Sequence, residues 1–296
     1  MDGANEANWH AYRRRLRYLN RSPRTIQSYE ESITQFVEFF DGRDILEAEQ
    51  ADVEDWLTYL GKELKPTSVG VRYRSLRAFY NWAVDEELLE RSPMRKLDQP
   101  AQTEEPVRTL TDDDLRALIT TCKLATFENR RDEAMILLFC EAGSPRVSEM
   151  AGIKIEDLDL KRDRVQLLGK GAKIRYLPFG ARTGTALDRY LRLRAKHKLA
   201  PRPELWLGMR GMWLTPNGIQ QMIRKRGARA GIEGLHPHML RHTAAHRWKD
   251  AGGSEEDAEE LFGWTPGSGM VKRYGKTARS ARAERAARRM TLADGI

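Results

Sequence analysis

Between residues 22 and 88 the apolar positions recur at helical spacing. In SPRTIQSYEESITQFVEFFDG (22–42), Ile26, Tyr29, Ile33, Phe36, Val37 and Phe40 stand three and four apart and define one apolar face. Ser22 falls at the N-cap and Pro23 at the first helical position, where its missing N–H leaves nothing unpaired. Two further helices are predicted over EAEQADVEDWLTYLGKEL (47–64), which ends near Lys65-Pro66, and over PTSVGVRYRSLRAFYNWAVDEEL (66–88), which an RSP stop at 91–93 closes. These helices predict a small all-α domain.

The pattern then changes twice. MRKLDQPAQTEEPVRTL (94–110) loses periodicity and gains Pro, Gln and acidic residues, so it reads as an extended linker. After it, TDDDLRALI offers Thr111 as N-cap and Asp114 three residues on, a capping-box pattern that opens a second helical region. Between 153 and 178, IKIEDLDL, RVQLLG and KIRYLPF are short and separated by Arg-Asp and Gly-Lys-Gly turn signals, which predicts three antiparallel strands. Helices resume from 182. The expected fold is mainly α: a helical domain over 1–98, a linker over 99–108, and an α-rich domain over 109–296 with a small three-stranded antiparallel sheet.

With 296 residues the chain is long enough for two such domains. Cys122 and Cys140 are its only cysteines, no apolar run approaches the roughly 18 residues of a membrane span, and no charged-then-apolar leader opens it. The expectation is a soluble, reduced, cytoplasmic protein with no membrane contact. The formal charge of +8 and pI near 9.5 point to a polyanion. The excess is uneven: residues 1–100 carry 15 Lys+Arg against 18 Asp+Glu, and the remainder 36 against 25. Even so, YRRRLRYLNRSPR (12–24) concentrates Arg13, Arg14, Arg15, Arg17 and Arg24 among aromatics, a composition suited to phosphate and base contact as well as to a solvated helix face.

Four of the six histidines fall in LHPHMLRHTAAHRW (235–248). His238, His242 and His246 are spaced four apart, which raises a metal site, but no Asp, Glu or Cys lies between them to complete a zinc ligand set or supply a base. An anion site built on His238 and Arg241 needs fewer additions, with His246 packed in the core and His236 unassigned. In EAGSPRVSEM (141–150), Ser144 and Pro145 suit the cap and first position of a helix. Arg146 would then sit in its first turn, where free N–H groups favour an anion, and Glu149 could hold the guanidinium. An ordinary local Arg–Glu pair is the plainer alternative. In LLGKGAKIRYLPF (167–179) a Gly-Lys-Gly turn presents Lys170, with Lys173 as its rival. In LFGWTPGSGMVKRYGK (261–276), Trp264 and Tyr274 flank a Gly/Pro/Ser loop.

Taken in order, RVSE, GKGAK, HMLRH, LFGW and a tyrosine ten residues beyond resemble the signatures of the tyrosine recombinases, the family of phage integrases and Xer-type resolving enzymes. SPRTIQSYEESITQFVEFF looks like the start of that family's helical core-binding domain, so the resemblance covers nearly the whole chain. It implies Arg146 and Arg241 as clamps on the scissile phosphate, Lys170 as general acid, His238 as proton acceptor or phosphate ligand, and Tyr274 as nucleophile, with Glu149 and His242 in support. Trp264 takes a position often held by a second histidine; it donates one N–H and cannot relay a proton. Two other departures, Gly-Ser-Pro before Arg146 and no histidine following Tyr274, remove no reacting group.

Those residue types suffice for the chemistry. A phenol with pKa near 10 is a poor nucleophile unless its proton is taken and its target made electrophilic. Two guanidinium forks can hold both non-bridging phosphate oxygens and stabilise a five-coordinate transition state, so neither metal nor other cofactor is expected. The resemblance implies a site-specific recombinase, integrating or excising a mobile element through a 3′-phosphotyrosine, on double-stranded DNA with inverted core sites. It would act as a dimer per site and a tetramer in synapsis, with room for an accessory directionality factor. Arg72, Arg74 and Lys173 join the arginines of 13–24 as expected DNA contacts. With about twenty residues before the first family-like helix, no arm-binding domain is expected. The alternatives are a type IB topoisomerase-like activity and a catalytically idle DNA-binding protein of the same fold.

Overall fold

The computed structural model describes residues 3–101, 108–169, 173–209 and 211–267, together with Ala287. The chain divides into two compact units, Met1–Glu105 and Pro106–Ile296.

The first unit contains four helices: α1 (Gly3–Tyr18), α2 (Pro23–Phe39), α3 (Gln50–Glu63) and α4 (Pro66–Asp85). Helix α2 starts where its sequence predicts, with the Ser22 hydroxyl accepting from the Thr25 N–H at 3.1 Å and Pro23 following. Helix α1 precedes the first helix that the apolar spacing predicts. Its buried residues, Asn5, Trp9, Tyr12 and Leu16, lie on one face, and the arginines of 13–17 occupy the turns between. Tyr12 anchors the core edge-on to Phe79 at 5.5 Å, beside Trp82 at 5.1 Å and stacked with Tyr29 at 6.1 Å. The expected extended linker begins later than its composition suggests, because Met94 and Leu97 are buried in this core and the Leu97 carbonyl accepts from the Tyr73 hydroxyl at 2.6 Å.

Asn5 fastens α1 to the turn after α2. Its amide donates to the Arg43 carbonyl at 2.9 Å and its oxygen accepts from the Ile45 N–H at 2.9 Å in a buried setting. Asn5→Ala orphans both backbone groups, so a loss of about 1–3 kcal/mol is expected. A denaturant midpoint unchanged from wild type would contradict that role.

The second unit holds α5 (Asp112–Thr120), α6 (Phe127–Cys140), α7 (Val147–Gly152), β1 (Leu158–Asp159), β2 (Arg164–Leu168), β3 (Ile174–Pro178), α8 (Ala181–Arg194), α9 (Pro216–Arg229), α10 (Pro237–Asp250) and α11 (Glu255–Phe262). Thr111 and Asp114 form the capping box expected at α5: Asp114 N–H donates to the Thr111 hydroxyl and Thr111 N–H to the Asp114 carboxylate. The three strands are antiparallel in the order β1-β2-β3, with Val165 opposite Leu177 and Leu167 opposite Arg175. Within the expected first strand, 153–160, residues 155–157 instead form a 3-10 turn and only Leu158–Asp159 pair as a strand. Helix α6 is buried nearly all round and packs against α8 and α10, while α11 lies against both α10 and β3. Within α6 the buried Asp132 accepts from Arg131 on one oxygen and from Arg226 of α9 on the other. Among the described residues no helix is long and apolar enough to cross a membrane.

Candidate active site

Four of the six candidate catalytic residues line one pocket of the second unit: Arg146, His238, Arg241 and Trp264. Glu149, Lys173 and Arg175 also line it, and Glu256, Glu259 and Glu260 of α11 contribute acidic side chains. Four chain segments build it: the loop into α7 with Glu149 of α7, the hairpin base with the start of β3, the start of α10, and α11 with the turn after it. Lys170 and Tyr274 lie outside the described residues.

Arg146 does not sit where its local sequence suggests. Helix α7 begins at Val147, so Arg146 is the cap residue rather than a first-turn residue, and Ser144 and Pro145 precede the helix. The cause is Glu149, whose carboxylate accepts the Arg146 N–H at 2.7 Å and Arg146 Nη1 at 2.7 Å. That N–H is therefore engaged by a carboxylate and not presented to an anion. The guanidinium extends across the pocket, donates from Nη2 to the Gly263 carbonyl at 2.8 Å, and keeps 39% of its side chain exposed. Burial alone would raise the Glu149 pKa. The charge of Arg175 and the donors of Arg146 and Arg175 outweigh burial and hold the carboxyl below its ordinary value, so it stays ionised.

Helix α10 supplies the histidines. His236 is its N-cap and donates from Nδ1 to the Gly234 carbonyl at 2.9 Å, a structural role that its sequence position left open. His238 is exposed to the pocket, His242 is buried with its ring 4.0 Å from that of His238, and His246 is half-buried. Arg241 is 2% exposed; its Nη1 donates to the Ser144 carbonyl and its Nη2 to the Phe262 carbonyl. It thus faces the pocket and also ties together two segments far apart in the chain. Trp264 is buried, stacked on Phe262 with centroids 4.8 Å apart.

Gly143 explains part of this closeness. Its φ is +90°, and a Cβ there would lie 2.8 Å from the Leu261 carbonyl oxygen, so a side chain would force the loop before α7 away from α11. Arg175 does not stand out in the sequence as Lys170 and Lys173 do. The signal is alternation: in KIRYLPF, positions 175, 177 and 179 are buried and 174, 176 and 178 exposed, which turns this arginine inward.

In the first unit Arg14, Arg15, Arg17, Arg24 and Arg74 are exposed, and Arg13 is half-buried. Arg13, Arg17 and Arg21 border a hollow beside the start of α2, a grouping in which Arg21 adds to the basic residues named from the sequence. Arg72 is mostly buried, donating to the Ser32 hydroxyl at 3.2 Å and lying 3.7 Å from Glu31. Lys173 is exposed at the hairpin base. Among the described residues no group of three or more His, Cys, Asp or Glu side chains is arranged to hold a metal ion.

Residues 108–280 match the phage integrase family, and residues 10–90 match the phage integrase N-terminal SAM-like domain. Tyrosine recombinase XerC of Bacillus pumilus (strain SAFR-032) is 33% identical over 254 residues, covering 82% of this chain and 83% of that protein. Tyrosine recombinase XerC of Staphylococcus aureus (strain JH9) is 31% identical over 250 residues, with the same coverage. Among solved structures, the XerH site-specific recombinase bound to palindromic difH substrate aligns with a TM-score of 0.77 at 17% identity, over 90% of this chain and 80% of that one. The Tn1549 transposon integrase in complex with a circular intermediate DNA aligns at 0.73 and 18%, over 94% and 99%. The chain belongs to the phage integrase family: it is a tyrosine-type site-specific recombinase, an enzyme that cuts and rejoins DNA strands.

Proposed function

We propose that the pocket binds the scissile phosphodiester and that Tyr274 attacks it. The observation that carries this reading is the convergence of Arg146, His238, Arg241 and Trp264 on one pocket from three separate segments. Arg146 and Arg241 hold the non-bridging oxygens and stabilise the charge of the five-coordinate transition state. His238 takes the phenolic proton or binds a phosphate oxygen, and Trp264 donates a hydrogen bond from its indole N–H. The Tyr274 oxygen bonds to phosphorus as the bond to the 5′ oxygen breaks, and that oxygen leaves with a proton from Lys170. A 3′-phosphotyrosine results. The free 5′ hydroxyl of another strand reverses the step, so exchange needs no nucleotide cofactor.

In this reading the substrate is duplex DNA with inverted core sites, bound by a dimer at each site and a tetramer in synapsis, with an accessory directionality factor accommodated. The exposed arginines of α1, with Arg24 and Arg74 and with Lys173 at the hairpin, supply phosphate contacts. The protein then works where DNA is, in the bacterial cytoplasm or a host cell. The motifs suggest integration or excision of a mobile element. Identity of 33% to a protein named tyrosine recombinase XerC supports a second reading, an XerC-like recombinase.

The test is a nicked suicide duplex carrying a core site found by footprinting, incubated with the protein and a chelator and run on a denaturing gel. A covalent protein–DNA band is expected. DNA binding without any such band would favour the idle DNA-binding protein, and relaxation of supercoiled DNA by isolated monomers would favour topoisomerase-like action.

A further inference from the structure

Arg175 is a buried cation on the inner face of β3, 6% exposed, with Leu167 opposite it in the sheet and Leu177 beside it on the same face. A buried charge is costly unless it is paired and hydrogen-bonded, and a plain core ion pair would meet that need with one carboxylate. Arg175 does more. Its Nη2 donates to Glu149 Oε2 at 2.8 Å, and its Nη1 donates to the Gly143 carbonyl at 2.7 Å and to the Leu261 carbonyl. One guanidinium thus joins the loop before α7, α7 itself and the end of α11.

These contacts close a circuit around Arg146. Glu149, held by Arg175, receives Arg146 Nη1 and the Arg146 N–H. At the other end, the Leu261–Gly263 turn, also held by Arg175, offers the Gly263 carbonyl to Arg146 Nη2. Gly263 itself lies over Arg175: at φ +58°, an added Cβ would come within 3.1 Å of Arg175 Cδ and Nε. Both anchors of the Arg146 guanidinium therefore rest on Arg175. The same strand runs back to the hairpin base, where the Gly169 N–H donates to the Lys173 carbonyl at 2.8 Å. A Cβ on Gly169 would stand 3.5 Å from Glu149 Oε1.

We infer that Arg175 is a positioning residue for strand cleavage: it fixes the pose of Arg146 in the pocket and couples that pose to the β2–β3 hairpin. The inference rests on Arg146 contacting the scissile phosphate. A displacement of about 1 Å at a reacting group can cost ~100-fold in rate, which sets the scale. Lysine cannot replace this arginine, because a single ammonium lacks the planar fork that spans three acceptors.

The test is a cycle on the full chain with Arg175→Lys, Arg175→Met and Glu149→Gln, each alone and combined with Arg146→Lys. Single-turnover cleavage of a nicked suicide duplex, DNA affinity and thermal midpoint are read together. In the wild-type background each change is expected to slow cleavage by about 100-fold while DNA affinity stays within about threefold. In the Arg146→Lys background the further loss should shrink to about twofold, since the residue to be positioned is already gone. Equal losses in both backgrounds, or losses that follow the unfolded fraction, would overturn the inference and make Arg175 a stability residue only. If Arg175→Met does not fold, Arg175→Lys and Glu149→Gln decide. Should Arg146→Lys cleave like wild type, the phosphate clamp falls and this inference with it; failure of Arg175 alone leaves the clamp standing.

Discussion

Alanine at Arg241 is expected to slow strand cleavage by about a thousandfold, the upper end of what loss of one preorganised donor to transition-state charge costs. Two effects combine at this site. The guanidinium faces the pocket as one of two proposed phosphate clamps, and it also bridges the Ser144 and Phe262 carbonyls from a position only 2% exposed. Its removal therefore takes a charge from the transition state and a fastening from the pocket wall. Arg241→Lys separates the two, because it keeps the charge and loses the bidentate geometry. Single-turnover rates measured below the thermal midpoint of each variant should fall for both, further for alanine. A rate loss that vanished once the folded fraction was corrected for would remove Arg241 from the chemistry.

The second large effect concerns stability. Asp132, 1% exposed, accepts from Arg131 Nε and Nη2 at 2.9 and 2.7 Å and from Arg226 Nε and Nη2 at 2.9 and 2.6 Å. Arg226 also donates to Asn129 and the Thr121 carbonyl, and Arg131 to the Leu207 carbonyl. Asp132 thus pairs with two buried guanidiniums and joins α6 to α9, with Glu128 a longer second partner of Arg131 at 3.9 Å. Asp132→Ala takes from Arg226 the carboxylate it is paired with and leaves Arg131 only the half-exposed Glu128, 3.9 Å away, for which about 3–5 kcal/mol is expected, out of roughly 5–15 kcal/mol in a typical domain. Chemical denaturation followed by tryptophan fluorescence should show the second unit unfolding at much lower denaturant. A shift worth under about 1 kcal/mol would mean that the pair adds no more than an exposed one.

What the sequence made legible follows the range of the forces involved. Helix α2 and the start of α5 are set by local signals, a serine cap with proline and a Thr-x-x-Asp box, and both begin where those signals fall. Helix α1 escaped because its four buried residues, Asn5, Trp9, Tyr12 and Leu16, include a polar one, and the arginines between them dominate its composition. The start of α7 shifted because a side chain won over a local preference: Ser144-Pro145 reads as a cap and first residue, yet the Glu149 carboxylate captures the Arg146 N–H. The pocket residues were recognisable as motif members, but their long-range ties were not. Nothing local to Arg241 announces Ser144 and Phe262 as its partners, and only strand alternation hints that Arg175 turns inward to Gly143, Glu149 and Leu261.

The most direct test of the central claim is to isolate the protein–DNA adduct formed on a nicked core-site duplex, digest it, and identify by mass spectrometry the residue that carries the phosphate. With Tyr274 as nucleophile, the modified peptide should contain Tyr274 esterified to a 3′ phosphate, and Tyr274→Phe should give no adduct while still binding the site. An adduct on another residue, or one that persists in the Phe variant, would contradict the proposed chemistry.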